Sequence, residues 1–274
     1  MADERFLGDR DYLQGVQYGT PDKLADRQRL HRLYSTAPTP WFEWMVETIP
    51  WAEGSVVEVG CGPGQLWDEA RPPIDGPLLL TDLSEGMVTA AIERAARSGY
   101  DASGRVASAD QLPVADATAT HVICNHMLYH VAHPPDAVRE LARIVADDGL
   151  VTVATNGVDH FRETKSLEHT VFGTSVVDST IAAFGIDNGA EMLADAFGSV
   201  ELFRFPDSLR ATEPAHVLAY MRSYPPVEDA TADQVAALSA LIDDRFAAGD
   251  GVFEITKDVG LFVCRAPRRP GTSS

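Results

Sequence analysis

Cysteine is scarce in this sequence: Cys61, Cys124 and Cys264 are odd in number and far apart. That excludes a disulfide framework and a CxxC redox pair, and suits a reducing compartment. No run approaches the roughly 18 apolar residues that a membrane-spanning helix needs. The opening "MADERFLGDRDYLQG" has no apolar core of the signal-peptide kind. A soluble, cytoplasmic protein is expected. Basic charge is also short, with 22 Lys and Arg against 41 Asp and Glu, a net charge of −19 and a pI near 4.6. The basic residues are nearly all arginine. Clusters occur only at Arg27, Arg29 and Arg32 and in the tail "RAPRRPGTSS", which reads as a solvated terminus. A broad basic face for nucleic acid is excluded, and no membrane partner is expected. Internal repeats and low-complexity stretches are missing too.

What remains is a chain of 274 residues, 45% hydrophobic, long enough for one α/β domain with an inserted or appended lid. Residues 22–49 read as two short helices split around Pro38 and Pro40. Leu30, Leu33 and Tyr34 form one apolar stripe, and Trp41, Trp44 and Met45 the other. The period then changes. Extended runs at 55–60, 77–82, 104–110, 119–127 and 150–156 alternate with helical patterns, including 134–149, which stops at a glycine. That alternation predicts a doubly wound parallel sheet with right-handed crossovers. Residues 157–187 carry few periodic signals. Further on, 199–205 reads as a strand, 213–223 and 231–249 as helices, and two extended runs flank Asp258.

The first strand runs into glycines, "VVEVGCGPGQLW" at 56–67. A dinucleotide fingerprint is G-x-G-x-x-G, its third glycine permitting close helix packing. Here Gly60 and Gly62 fit, but Gln65 stands at the third position. Glu58 precedes the turn, and a carboxylate there repels a pyrophosphate and suits a cationic ligand. Three glycines so close together have no evident packing role, and a side chain at Gly60 is expected to occupy ligand space without harming the fold. Asp82 lies about twenty residues on, the usual distance for an acid that takes ribose hydroxyls. Asp110 follows the third strand, with Leu83 and Leu112 as apolar neighbours for an adenine. Each acid alone is more simply a cap or turn residue. Three at successive strand ends favour a nucleoside ligand.

These residues resemble those of class I S-adenosylmethionine-dependent methyltransferases, of the small-molecule type related to the ubiquinone and menaquinone C-methyltransferases. The resemblance runs through "VVEVGCGPGQLW", "LLLTDLSEGM", "ASADQLPVADATATHVICNHMLYHV" and "ELARIVADDGLVTVATNG", about 100 residues in order. It implies a Rossmann-like, mostly parallel seven-stranded sheet. An N-terminal helical cap (1–50) would precede a methyltransferase domain (51–274) with a helical lid near 207–250. By position, Glu58, Gly60, Gly62 and Gly64 would line the methionine moiety and Asp82 the ribose. Leu83 and Met87 would flank the adenine, Asp110 and the Gln111 backbone would read its edge, and Asn125 would lie at the methionine end. Tyr18 and Arg27 are further candidates from the N-terminal region.

The reaction so implied is methyl transfer to an O, N or C nucleophile of a small metabolite, by a monomer or homodimer. Its rivals are a family member running a cyclisation or decarboxylation, a non-catalytic cofactor-binding subunit, and an NAD-dependent oxidoreductase. A base is needed only for a nucleophile whose proton has a high pKa. His126 and His130 in "CNHMLYHVAHP", and His160 after the fifth strand, are the candidates; the alternative for each is a polar loop residue bonded to backbone or solvent. A metal set of Cys124, His126 and His130 matches no zinc spacing, so no metal is expected. His31 and Tyr34 are placed to close over the site. Trp41, Phe42 and Trp44 read as core rather than as a substrate cage.

Overall fold

The computed structural model describes residues 21–51, 53–175 and 179–269, with side chains from Gln28 onward. The Tyr18 and Arg27 expectations therefore lie outside the described residues and side chains. The chain divides into two compact units. One comprises 39–156, 183–205 and the chain from Val259; the other comprises 157–182, 206–258 and the described chain before Thr39.

The first unit holds a seven-stranded sheet in the order β3-β2-β1-β4-β5-β9-β6. Its strands are β1 (Val56–Val59), β2 (Leu78–Asp82), β3 (Ala102–Val106), β4 (Ala119–Asn125), β5 (Val145–Asn156), β6 (Phe197–Arg204) and β9 (Val259–Pro267). The first five run parallel, and β9 lies antiparallel between β5 and β6. The order runs outward from β1 to β3 and then returns to β4 beside β1. The β1/β4 junction is therefore the topological switch point, outside whose carboxyl ends doubly wound sheets bind ligands.

Each strand buries alternate residues on opposite faces. Val57, Val59, Val122 and Cys124 join a core with α5 (Pro134–Ile144) and α8 (Ile186–Ala196). Val56, Leu78, Leu80 and Ile123 join a second core with α2 (Trp41–Thr48), α3 (Gln65–Glu69) and α4 (Glu85–Arg97).

The other unit packs α1 (Pro21–Tyr34), α6 (Arg162–Phe172), α9 (Pro214–Met221) and α10 (Ala232–Ala248) with a two-stranded ribbon of β7 (Ser208–Ala211) and β8 (Phe253–Thr256). Leu30, Phe161, Leu209, Val217, Leu238 and Ile255 centre its core. Thr231 caps α10 in a reciprocal capping box with Gln234.

Several boundaries differ from the sequence reading. The helix expected over 134–149 ends at Ile144, and Gly149 lies inside β5, where a Cβ would meet the Thr120 carbonyl oxygen at 2.8 Å. The third strand ends at Val106 rather than 110, and the fourth at Asn125, where His126 turns to φ 52. The weakly patterned 157–187 contains α6 and a one-turn helix, α7 (Ser179–Ala183). The extended run before Asp258 pairs with β7 and leaves the main sheet.

Candidate functional site

The chain leaves β1 at Val59 and turns through Gly60, Gly62 and Gly64, with φ of 68, 50 and 74. All three sit in the left-handed region that glycine enters without steric cost. The turn is tied by the Cys61 N–H to the Thr81 carbonyl (2.9 Å) and the Gly64 N–H to the Cys61 carbonyl (3.0 Å).

The three glycines do different work. A Cβ at Gly60 would meet Met127 Cγ at 2.6 Å and Cβ at 2.9 Å, so the space there belongs to the protein. The expectation that a side chain at Gly60 would enter ligand space is corrected accordingly. At Gly64 a Cβ would meet the Ala91 Cα of α4 at 2.8 Å. Gly64 thus performs the close helix packing assigned to the third glycine of a dinucleotide turn, one position early. The expectation that these glycines lack a packing role is corrected as well. Only Gly62 faces open space, with nothing within 4 Å. Gly62→Ala should therefore cost only the left-handed backbone penalty, about 1–2 kcal/mol. Gly60→Ala and Gly64→Ala should cost more, in urea unfolding of the three variants side by side; equal losses would contradict this division.

Alternation places Glu58, Asp82 and Asn125 on one face of the sheet, the face of Val56, Leu80 and Ile123 that α2, α3 and α4 cover. Glu58 is buried, and its carboxylate accepts from the Trp67 indole N–H at 2.6 Å. Burial, helped by the nearby Asp82 charge and opposed by the indole, pushes its pKa up to about 8. Asp82 ends β2 and accepts from the Gly62 N–H (3.0 Å) and the Ser84 N–H (2.9 Å). Burial raises its pKa against those backbone hydrogen bonds. The Asn125 amide has both polar atoms buried with no hydrogen-bond partner. An amide so placed costs free energy unless something supplies its hydrogen bonds.

The raised Glu58 pKa sets a sign for pH dependence. In the unfolded chain Glu58 ionises near its ordinary value of 4.5, whereas in the folded chain it holds its proton to about 8. The folded state then binds more protons between those values, so this group's contribution is full below the unfolded pKa and is lost as pH rises through about 8. Glu58→Gln should flatten the fall in stability between pH 5 and pH 8, measured by denaturant midpoints; an unchanged slope would count against it.

The remaining expected residues occupy the same unit. Leu83 is half-buried, and the Met87 N–H of α4 donates to Ser84 Oγ at 3.4 Å. Asp110 and Gln111 are exposed after β3, in a turn closed by the Gln111 N–H to the Ser108 carbonyl. Leu112 is buried in the core.

Of the three histidines, His126 and His130 follow β4. The His126 N–H donates to the Ala154 carbonyl (3.0 Å), and its ring lies 5.5 Å from that of Trp41. His130 stands edge-on to Tyr129 at 4.6 Å. His160 belongs to the other unit, against Phe161 at 4.7 Å. In that unit Tyr34 Oη lies 2.7 Å from His216 Nδ1, and His31 lies 5.4 Å from the Phe161 ring. Cys124 is wholly buried, and among the described residues no three metal-ligating side chains converge. Trp67 was not singled out in the sequence. Its signal was the buried carboxylate at Glu58, which needs a donor from the helix after the turn.

The residues present fit S-adenosylmethionine. Two acids and a partnerless amide share one face at the switch point, beside a glycine whose Cβ direction is open. A ligand with an ammonium and ribose hydroxyls supplies groups that such acceptors take.

Comparison with known proteins agrees. Residues 57–153 match the family described as a methyltransferase domain. A ubiquinone biosynthesis O-methyltransferase of Caulobacter sp. (strain K31) is 32% identical over 101 residues, 36% of this chain and 40% of that protein. The chain thus spans well under half the length of the curated relatives it matches. Among solved structures, the Haemonchus contortus phosphoethanolamine N-methyltransferase 2 complexed with S-adenosyl-L-methionine aligns with a TM-score of 0.58. It is 16% identical over 94% of this chain and 60% of that one. The geranyl diphosphate C-methyltransferase of Streptomyces coelicolor A3(2) aligns with a TM-score of 0.51 at 15% identity, over 92% of this chain and 87% of that one. At such identities the two structures show a shared fold alone. Sheet order and turn agree with the match of residues 57–153 to a methyltransferase domain, the part of the chain that is similar to the ubiquinone biosynthesis O-methyltransferases, and the residues of the site fit S-adenosylmethionine.

Proposed function

We propose that this protein transfers a methyl group from S-adenosylmethionine to an oxygen, nitrogen or carbon nucleophile of a small metabolite. The observation that carries this reading is the buried, partnerless Asn125 amide on the same sheet face as Glu58 and Asp82. When bound, S-adenosylmethionine supplies a methyl group already activated on a sulfonium. The protein's task is then chiefly to position the reactants and exclude water.

In this reading Glu58, Gly60 and Gly62 border the methionine moiety, and Asn125 hydrogen-bonds at that end. Gly64 contributes by seating the turn on α4. Asp82 takes the ribose hydroxyls, Leu83 and Met87 flank the adenine, and Asp110 with the Gln111 backbone reads its edge. His126, at the end of β4, faces the acceptor and receives its proton where the nucleophile carries one; His130 is the alternative, four residues on. His160 enters this reading only as a candidate from the other unit.

The relatives include O-, N- and C-methyltransferases by name, so the class of nucleophile stays open across all three. The test is incubation of the full chain and a metabolite extract with S-adenosylmethionine tritiated in its methyl group. Label should move into a small-molecule fraction. Cofactor binding without label in any product would overturn the reading.

A further inference from the structure

We propose that Glu140 and Arg143 of α5 are positioning residues for base recognition. Together they hold the turn from Ser108 to Gln111 so that the site accepts adenine and rejects a purine carrying a carbonyl in place of the amino group. The inference rests on the assignment of Asp110 and the Gln111 backbone to the adenine edge, proposed above.

The sequence of α5, "PPDAVRELARI", buries Ala137, Val138, Leu141 and Ile144 in the core shared with β1 and β4. Glu140 and Arg143 stand one turn apart beside that stripe, with side chains 12% and 31% exposed. An exposed pair at this spacing contributes little by itself. This pair also grips the main chain of another segment.

A guanidinium has five N–H donors, and at Arg143 each of them has an acceptor. Nε donates to Glu140 Oε2 (2.7 Å) and Nη2 to Glu140 Oε1 (2.8 Å), a two-pronged contact. Nη2 also donates to the Leu112 carbonyl (3.2 Å), and Nη1 to the Val114 carbonyl (2.9 Å) and the Asp116 carboxylate. Glu140 Oε1 in turn accepts from the Leu112 N–H at 2.6 Å. Burial alone would raise the Glu140 pKa, but Arg143 and the Leu112 N–H bring it below the ordinary value, so the acceptor is a carboxylate.

Both main-chain polar groups of Leu112 are thus held from α5, and its side chain is buried in the same core. Before the turn, Ala109 is buried in that core and the Ala107 N–H donates to the Asp82 carbonyl (3.0 Å). Asp110 and Gln111 lie exposed between these two anchors. An exposed connection is ordinarily more mobile than the elements it joins. This one is pinned on both sides while its acid stays open to a ligand.

Fixity matters to the choice of base. A carboxylate accepts from the amino group of adenine, whereas hypoxanthine presents a carbonyl there, and two acceptors repel. A fixed Asp110 cannot evade that clash. A loosened turn lets it move to the ring N–H that hypoxanthine offers next to the carbonyl, and the discrimination fades.

Calorimetry of the full chain with S-adenosylhomocysteine and S-inosylhomocysteine, which differ only at that edge of the purine, tests this. Wild type should prefer the adenosyl ligand about tenfold or more, since a site built to accept a ligand N–H disfavours the analogue without it. Arg143→Met should lose most of that preference. Glu140→Gln, which keeps an oxygen for the Leu112 N–H, should keep more of it. A lower folded fraction weakens both ligands alike, so the ratio of affinities separates positioning from general support. Thermal unfolding confirms that each variant is folded at the titration temperature. Asp110→Ala should also lose the preference, and Arg143→Met added to it should change the ratio little further. A wild-type ratio in folded Arg143→Met, or a full additional loss in the double variant, overturns the proposal. Where Arg143→Met does not fold, a wild-type ratio in Glu140→Gln overturns it. Equal binding of both ligands to wild type does so too. A preference kept in Asp110→Ala overturns the adenine assignment, and the proposal with it. Failure of S-adenosylhomocysteine to bind wild type overturns the methyl-transfer reading beneath both.

Discussion

Asp207→Ala should destabilise this protein by about 3–5 kcal/mol, the usual cost of removing one partner from a buried ion pair. Asp207 and Lys257 are bonded at 2.5 Å, with side chains 0% and 8% exposed. The other carboxylate oxygen accepts from Ser35 Oγ (2.8 Å) and from the backbone N–H groups of Thr36 and Ala37 (3.0 Å each). One side chain thus fixes the segment after α1, the start of β7 and the segment after β8. Alanine removes the one carboxylate that the Lys257 ammonium and these donors share, leaving the Thr36 N–H its bond to the Ser208 carbonyl (2.9 Å) and the Ala37 N–H its bond to Ser35 Oγ (3.3 Å). Asp207→Asn, which keeps one oxygen acceptor, should lose less. Asp207→Ala combined with Lys257→Met should recover part of the loss, because the buried charge that Asp207 balances goes too.

Burial alone would raise the Asp207 pKa, but Lys257 and the Ser35 and Ala37 hydrogen bonds bring it below the ordinary value. A depressed carboxyl contributes stability above its unfolded pKa, near 3.9, and loses it as pH falls through the folded value. Urea unfolding of the full chain at pH 7 and at pH 3 checks both points. The gap between wild type and Asp207→Asn should be wider at pH 7 than at pH 3. A loss in Asp207→Ala below about 1 kcal/mol, the range of exposed pairs, would show that the clasp is ordinary surface chemistry.

The second large effect is expected at Asp82. Asp82→Ala should weaken S-adenosylmethionine binding about 100-fold, equivalent to ~2.7 kcal/mol and within the range of one or two hydrogen bonds to a charged group. The carboxylate holds the Gly62 N–H, so its removal frees the turn at the one glycine that faces open space. It also removes the acceptor proposed for the ribose. Asp82→Asn keeps an oxygen for one N–H and should fall between wild type and alanine. Calorimetric titration measures this, with thermal unfolding of the unliganded variants as the control. Wild-type affinity in Asp82→Ala would remove Asp82 from the site.

The sheet could be read from sequence because its central strands are compact apolar runs bounded by turn residues, as in the β-branched "SVVEVG" and the leucine-rich "PLLLTD". The helix α6 could not, because its buried side is polar: Thr164, Lys165 and Glu168 lie inward with Leu167, and Tyr224 Oη donates to Glu168 at 2.9 Å. A hydrophobic period has nothing to register in such a segment. The β5 boundary was hidden for another reason. Gly149 reads as a helix stop, yet it is a strand residue pressed against the Thr120 carbonyl of β4, a constraint set by a neighbour remote in sequence.

The site divides in the same way. Residue type and spacing mark Glu58, Asp82 and Asn125, and sheet pairing explains why they share a face. The separate duties of Gly60 and Gly64 depend on Met127 and Ala91, which no local pattern connects to the turn. Trp67 under Glu58 and Trp41 beside His126 are likewise matters of packing.

The central claim is that the turn from Gly60 to Gly64 holds S-adenosylmethionine and not a dinucleotide. Calorimetric titration of the full chain with S-adenosylmethionine and, separately, with NAD tests it most directly. One saturable site for S-adenosylmethionine and no heat of binding for NAD are expected. Clear binding of NAD with none of S-adenosylmethionine would contradict it.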